Sequence, residues 1–203
     1  MFESFGHLMS ERPLRKQMYF GVGNVVVLPD TNIIRRFGFS FFESISNYYS
    51  LCLTSGVSEE VLNYMCRDSA EAKEFSDLSN FMQRVPILDF GLKYLKEISS
   101  ATKEGYSRLL SRNKRCGSKR DMRKGDLGFA DNQQISFALS RARNNRATVL
   151  ITNDIGILKT CDVLSDRGEF NGFAETRYLD ERLDGNLSVA WKYLPDVTAF
   201  LAL

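Results

Sequence analysis

The sequence predicts an α/β protein with a mostly parallel central sheet, and three observations carry that prediction. "NVVVLPD" (24–30) and "ATVLIT" (147–152) are apolar runs rich in β-branched residues. They do not alternate with polar residues, as strands buried on both faces do not. Between them, short strand candidates alternate with helix-length segments, the pattern of βαβ units. Each run also ends on an aspartate, Asp30 in "LPDTN" and Asp154 in "ITNDIG". In an open parallel sheet the carboxyl ends of the strands line the crevice where ligands sit.

Taken in order, residues 1–22 mix polar and aromatic residues without a period, giving a short arm or an early helix. Residues 24–28 form the first strand, which stops at Pro29. "TNIIRRFGFSFFESISNYYS" reads as helical pieces broken near Gly38, with aromatics suited to core and interface packing. "LCLT" (51–54) is a short strand. "SGVSEEVLNYM" is a helix with Ser58 as N-cap and Glu59 and Glu60 in its first turn, where the helix dipole favours acids. Residues 69–84 and 92–112 continue as helices, the first ending before Pro86. "RNKRCGSKRDMRKGD" is charged and glycine-punctuated, a loop or mobile arm. "FADNQQISFALSRA" is a helix with Ile135 and Leu139 four apart, and "DIGILKTCDVL" opens another. The tail from 170 to 203 has no clear pattern.

With 203 residues and 43% hydrophobic content, the chain can bury one substantial core, so a single domain over 1–203 is expected. The formal charge of +2 says little, but its distribution says more. Residues 103–124 hold nine basic side chains against two acids, so this segment carries +7 and the remainder −5. A mildly acidic body with one concentrated basic arm suits a polyanionic partner. The four cysteines, Cys52, Cys66, Cys116 and Cys161, form no C-x-x-C pair, and His7 is the only histidine. That excludes a clustered zinc site and suits reduced thiols. The N-terminus has no apolar signal region and no run reaches the length of a membrane span, so a cytoplasmic location is expected.

Asp131 opens the helix of "FADNQQISFAL" and Glu59 or Glu60 opens the one after "LCLT". In a parallel α/β sheet those helix starts share the edge to which Asp30 and Asp154 are delivered. Carboxylates crowded in one crevice repel one another, and one or more would keep a proton. A hard divalent cation removes the conflict: Mg²⁺ and Mn²⁺ take oxygen ligands and leave places for phosphate oxygens. Each acid alone has a plainer reading, as a helix cap or a turn residue. The combination points to a metal site.

"VVVLPDTNIIRRF", "FADNQQISFAL" and "VLITNDIGILK", in that order, resemble the motifs of the PIN-domain ribonucleases (VapC-like), over about residues 24–164. The resemblance implies a three-layer α/β/α sandwich with a mostly parallel central sheet. It implies Mg²⁺- or Mn²⁺-dependent endonucleolytic cleavage of RNA, in a toxin–antitoxin or an RNA-processing setting. On that basis Asp30, Asp131 and Asp154 match metal-binding catalytic acids, Asn32 a supporting polar neighbour, and Thr152 the hydroxyl that bonds the first aspartate. The partners implied are RNA, an antitoxin or an RNA-processing protein, and a second copy of the chain, with no membrane. Relative to a minimal domain of this family, residues 67–125 are an insertion ending in the basic arm and 165–203 an extra C-terminal segment. Arg112, Lys114, Arg115, Lys119, Arg120, Arg123 and Lys124 of that arm are the expected RNA-binding residues, since cations beside an acidic crevice hold the phosphate backbone.

One position departs from the family pattern. Where a metal-site glutamate often stands, "VSEEVLNYM" has Tyr64. Glu60 lies one turn earlier on the same helical face and substitutes for it, or the second acid is missing. In the latter case the chain is a degenerate PIN domain that binds RNA or a protein partner without cleavage. A phosphatase of the haloacid-dehalogenase type also starts from a strand-end aspartate, but it needs a second aspartate where this chain has Asn32.

Overall fold

The structure, a computed structural model, describes residues 25–35, 50–67, 72–115, 127–170 and 174–178. Strands are β1 (Val26–Pro29), β2 (Ser50–Leu51), β3 (Leu53–Thr54), β4 (Ile87–Leu88), β5 (Thr148–Thr152) and β6 (Ala174–Tyr178). Helices are α1 (Ser55–Arg67), α2 (Ala72–Arg84), α3 (Leu95–Arg115), α4 (Phe129–Ala142) and α5 (Ile155–Asp166), with a helical turn at 31–35.

One sheet has the order β2-β1-β5-β6, and β3 pairs with β4 in a second. Every pairing is parallel, with Leu28 opposite Leu150 and Pro29 opposite Ile151. The segment 50–54 passes from one sheet to the other at Cys52. The Cys52 amide donates to the Val27 carbonyl, and the next amide, Leu53, donates to the Pro86 carbonyl on the other side. The expected α/β class with a parallel sheet flanked by helices is what the chain adopts.

Burial explains why the central strands read as unbroken apolar runs. Successive strand side chains point to opposite faces. Val26, Leu28 and Leu150 enter a core with Ile98 and Ala101 of α3, Ile135, Ala138 and Leu139 of α4, and Ile157, Val163 and Leu164 of α5. Val27, Val149 and Ile151 face the other way and are buried as well, so both faces of the sheet are covered. Helices α3 and α5 cross closely: a side chain at Gly105 would meet the Lys159 carbonyl at 2.8 Å, and the Thr102 and Thr160 hydroxyls bond at 3.0 Å. The Arg108 guanidinium pairs with Glu104 and Asp166 at the same crossing.

Several expected boundaries move. Strand β1 runs through Pro29, not to residue 28. A proline is tolerated there because it is the last ladder residue, and its carbonyl still accepts from Gln134 Nε2 at 3.2 Å. Helix α1 begins at Ser55, three residues before the expected cap at Ser58. Thr54 takes the capping place, its Oγ1 accepting from the Val57 amide at 3.5 Å, so Glu59 and Glu60 lie beyond the first turn. Helix α3 spans Leu95–Arg115 instead of 92–112. Arg112, Lys114 and Arg115 therefore continue a helix and are not loop. No glycine or proline interrupts the run from Ser107 to Cys116, and basic residues suit a helix C-terminus. Strands β4 and β6 have no counterpart in the sequence pattern. Lys119, Arg120, Arg123 and Lys124, the expected helical pieces of 36–49, residues 1–22 and the tail beyond 178 lie outside the described residues. Cys52 and Cys161 are buried free thiols, and no helix among the described residues is long and apolar enough to cross a membrane.

Candidate functional site

The parallel sheet brings the ends of β1 and β5 together, because Pro29 and Ile151 are register partners. Asp30 follows β1 at once and is 3% exposed. Its amide donates to the Ile151 carbonyl at 2.8 Å, and its own carbonyl accepts from the Ile33 and Ile34 amides, starting the turn at 31–35. Thr152, the last residue of β5, is fully buried, and its Oγ1 donates to Asp30 Oδ2 at 3.0 Å. The same hydroxyl accepts from the Asp154 amide at 2.9 Å, so one threonine ties two of the acids together.

Asp154 and Asp131 do act as caps, as their plainer reading holds. Asp154 is the N-cap of α5, its Oδ1 accepting from the Gly156 and Ile157 amides. Only glycine fits at 156, since a Cβ there would stand 2.8 Å from that oxygen. Asp131, in the first turn of α4, accepts from the Gly128 amide at Oδ2, at 2.9 Å. In each case a single oxygen takes the backbone donors. Asp131 Oδ1 and Asp154 Oδ2 accept no hydrogen bond among the described residues. Capping and ligand binding thus use different lone pairs of one carboxylate.

The acids feel one another. Burial above all, then the charges of Asp131 and Asp154, push the Asp30 carboxyl up to about 6, against the opposing pull of the Thr152 hydroxyl. Burial also raises Asp131 to about 6, with the charges of Asp154 and Glu60 adding to it. Glu60, though exposed, belongs to this set, and Thr31 Oγ1 donates to its Oε2 at 2.5 Å. Tyr64, one turn further along α1, lies under the Arg35 guanidinium, 3.9 Å from the ring centroid. Asn32 is exposed on the turn after Asp30.

The donor set is all hard oxygen, the kind Mg²⁺ and Mn²⁺ select. Mutual repulsion and burial are what a divalent cation would relieve. The acids as placed form an open array: among the described residues, no three Asp, Glu, His or Cys side chains stand close enough to enclose an ion. A hollow of about 540 Å³ along α3 is lined by Leu95, Lys96, Ser99, Ser100 and Lys103, and none of the four acids borders it.

Three participants escape a reading of the sequence. Thr31 is one, the hydroxyl that fixes Glu60. Gln133 is another: its amide accepts from the Gly56 amide at 2.8 Å and donates to Ser55 Oγ and the Phe90 carbonyl, locking the start of α1 to α4. Gln134 is the third, donating to Pro29 beside Asp30 while its buried Oε1 has no partner among the described residues. The available signal is a pair of amides placed inside an otherwise apolar helix face.

Fold and site together define an α/β protein with a carboxylate array at the carboxyl edge of a parallel sheet. No protein-family model matches the chain, and no curated protein matches it in sequence. Among solved structures it is similar to the crystal structure of VapBC2 from Rickettsia felis bound to a DNA fragment from their promoter. The TM-score is 0.40 and the identity 16%, over 76% of this chain and 99% of that one. The chemistry has to be read from this chain's own side chains.

Proposed function

We propose that the chain is a metal-dependent endoribonuclease, hydrolysing RNA phosphodiester bonds at the carboxylate array. The observation that carries this reading is the buried Asp30, held by Thr152 within electrostatic range of Asp131 and Asp154, with two carboxyls raised to about 6. Four acids gathered on one edge call for a counter-charge, and capping alone does not require Asp30. Asp30, Asp131 and Asp154 would hold Mg²⁺ or Mn²⁺, with Glu60 completing the set. A bound divalent ion supplies a Lewis acid for the scissile phosphate and lowers the pKa of a water.

The chain's own groups divide the remaining work. Thr152 fixes Asp30 through Oδ2 and orders the Asp154 backbone at the same time. Asp131 ionises near the operating pH and can take a proton from the attacking water at Oδ1, which carries no hydrogen bond among the described residues. The basic segment 112–124 draws the RNA backbone toward an edge that would otherwise repel it. An antitoxin, an RNA-processing protein or a second copy of the chain is the protein partner this reading allows, and the chain forms one domain.

The test is cleavage of a labelled RNA in Mn²⁺ and in EDTA, by the wild type and by Asp30→Asn. Cleavage in Mn²⁺ alone, lost in the variant, is expected. Cleavage that persists in EDTA or in Asp30→Asn overturns the mechanism. Tyr64 and the open spacing of the acids favour a second reading, a domain that binds RNA or a protein without cutting. Binding without cleavage, in both Mg²⁺ and Mn²⁺, selects it.

A further inference from the structure

Two interactions of the same spacing join the turn at 31–35 to α1. Thr31 Oγ1 donates to Glu60 Oε2 at 2.5 Å, and Arg35 lies 3.9 Å over the Tyr64 ring. Residues 31 and 35, and residues 60 and 64, are each one helical turn apart, so the two are successive rungs between helices running in the same direction. The first rung adjoins Asp30 and carries the acid Glu60. The second carries a cation on an aromatic ring, about 6 Å further along the helix axis.

We propose that Arg35, oriented by Tyr64, binds a phosphate of the RNA strand next to the bond being cut. This deepens the nuclease reading and rests on it for the position of the scissile bond. Arg35 is exposed. A stacked guanidinium uses its face, whereas its N–H donors lie in its plane and address a phosphate from the edge. The ring removes side-chain freedom that a lone surface arginine would lose on binding. The charge pattern is also directional. Acids gather around Asp30 where a cation would sit, and a positive charge follows one turn away, where an adjacent phosphate needs a counter-charge. Tyr64 occupies the place where the PIN-domain pattern often has an acid. An acid there would repel a phosphate and compete with it for Arg35, whereas tyrosine adds no charge of its own.

The experiment measures affinity and its salt dependence for a labelled single-stranded RNA in EDTA, where no cleavage intervenes. It compares the wild type with Arg35→Ala, Arg35→Lys, Tyr64→Phe and Tyr64→Ala. Removal of one arginine–phosphate pair predicts about tenfold weaker binding by Arg35→Ala and a log–log salt slope shallower by about one. Arg35→Lys keeps the slope, Tyr64→Phe behaves as wild type, and Tyr64→Ala approaches Arg35→Ala. Mn²⁺ affinity without RNA, read by calorimetry, stays unchanged in all four. An unchanged slope in a folded Arg35→Ala overturns the proposal and makes the pair surface packing. Absence of cleavage in the wild type would sink the nuclease reading but leaves this slope measurement able to decide on Arg35.

Discussion

The Thr152 hydroxyl donates to Asp30 across the β1–β5 pairing, 122 residues apart in sequence, and in the same geometry accepts from the Asp154 amide. It therefore sets both the charge of one acid and the backbone of another. Thr152→Val removes both bonds at a fully buried position and should cost about 1–3 kcal/mol of stability. Without the donor, the Asp30 carboxyl should ionise above its present value of about 6. Carboxyl-carbon NMR titration reads this directly, and Thr152→Ser should restore the wild-type curve. An unmoved Asp30 titration in Thr152→Val would mean that burial alone sets it.

The raised carboxyls also make a pH prediction of definite sign. Asp30 and Asp131 ionise near 6 in the folded chain, against an ordinary value of 3.8. Between those values the folded state binds more protons than the unfolded one, so stability falls as pH rises from about 4 to 6 and then levels off. Asp30→Asn escapes its share of this loss. In EDTA it should raise stability at pH 7.5 by about 2–3 kcal/mol and change it little at pH 4. Mn²⁺ should restore wild-type stability at pH 7.5 and fail below 6, where protons compete. Thermal melts across pH, with Mn²⁺ or EDTA, check both. A pH-independent effect of the substitution would rule out burial and repulsion of the Asp30 charge as its cause.

Glu60 and Glu59 are neighbours with different surroundings. Glu60 is tied to Thr31 and its charge reaches Asp131, while Glu59 is exposed on the same helix. Glu60→Gln should weaken Mn²⁺ binding several-fold by calorimetry and leave Asp131 easier to ionise. Glu59→Gln should do neither. Equal, negligible effects would leave a site of three aspartates.

How much of this was legible in the sequence depends on what decided each feature. Strands β1 and β5 and the helices opened by Phe129 and Ile155 were readable because burial on both faces, or on one stripe, writes itself into composition. The acids at their ends were readable for the same reason, since strand and helix ends fix where a side chain emerges. The start of α1 was not readable. Serines at 55 and 58 both suit a cap, and the choice is made at long range. Gln133 binds the Gly56 amide, and Gly56 sits so close to α4 that a Cβ would stand 2.9 Å from the Ala130 backbone. Strand β4 is two residues long, too short for any period, and exists because the Pro86 carbonyl meets Leu53. Strand β6, "AETRY", lacks an apolar run and takes its form from pairing with β5.

The basic segment gives the last prediction, and its helical part sharpens it. Arg112, Lys114 and Arg115 lie on the final turns of α3, a helix anchored in the core through Ile98 and Ala101 and against α5 at Gly105. Those anchors all precede Arg112 by more than one turn, so reversing charge beyond them leaves the core packing in place. The variant Lys114→Glu/Arg115→Glu/Lys119→Glu/Arg120→Glu should keep its melting temperature within a few degrees. Its RNA affinity should fall steeply, and its log–log salt slope should become shallower by up to about four, one for each phosphate no longer neutralised. Arg35→Ala changes that slope by about one. The two together should add, because the arm and the Arg35–Tyr64 rung have no residue in common. A four-charge reversal that leaves the slope unchanged would make this segment a solvated surface and move the RNA-binding role to other residues.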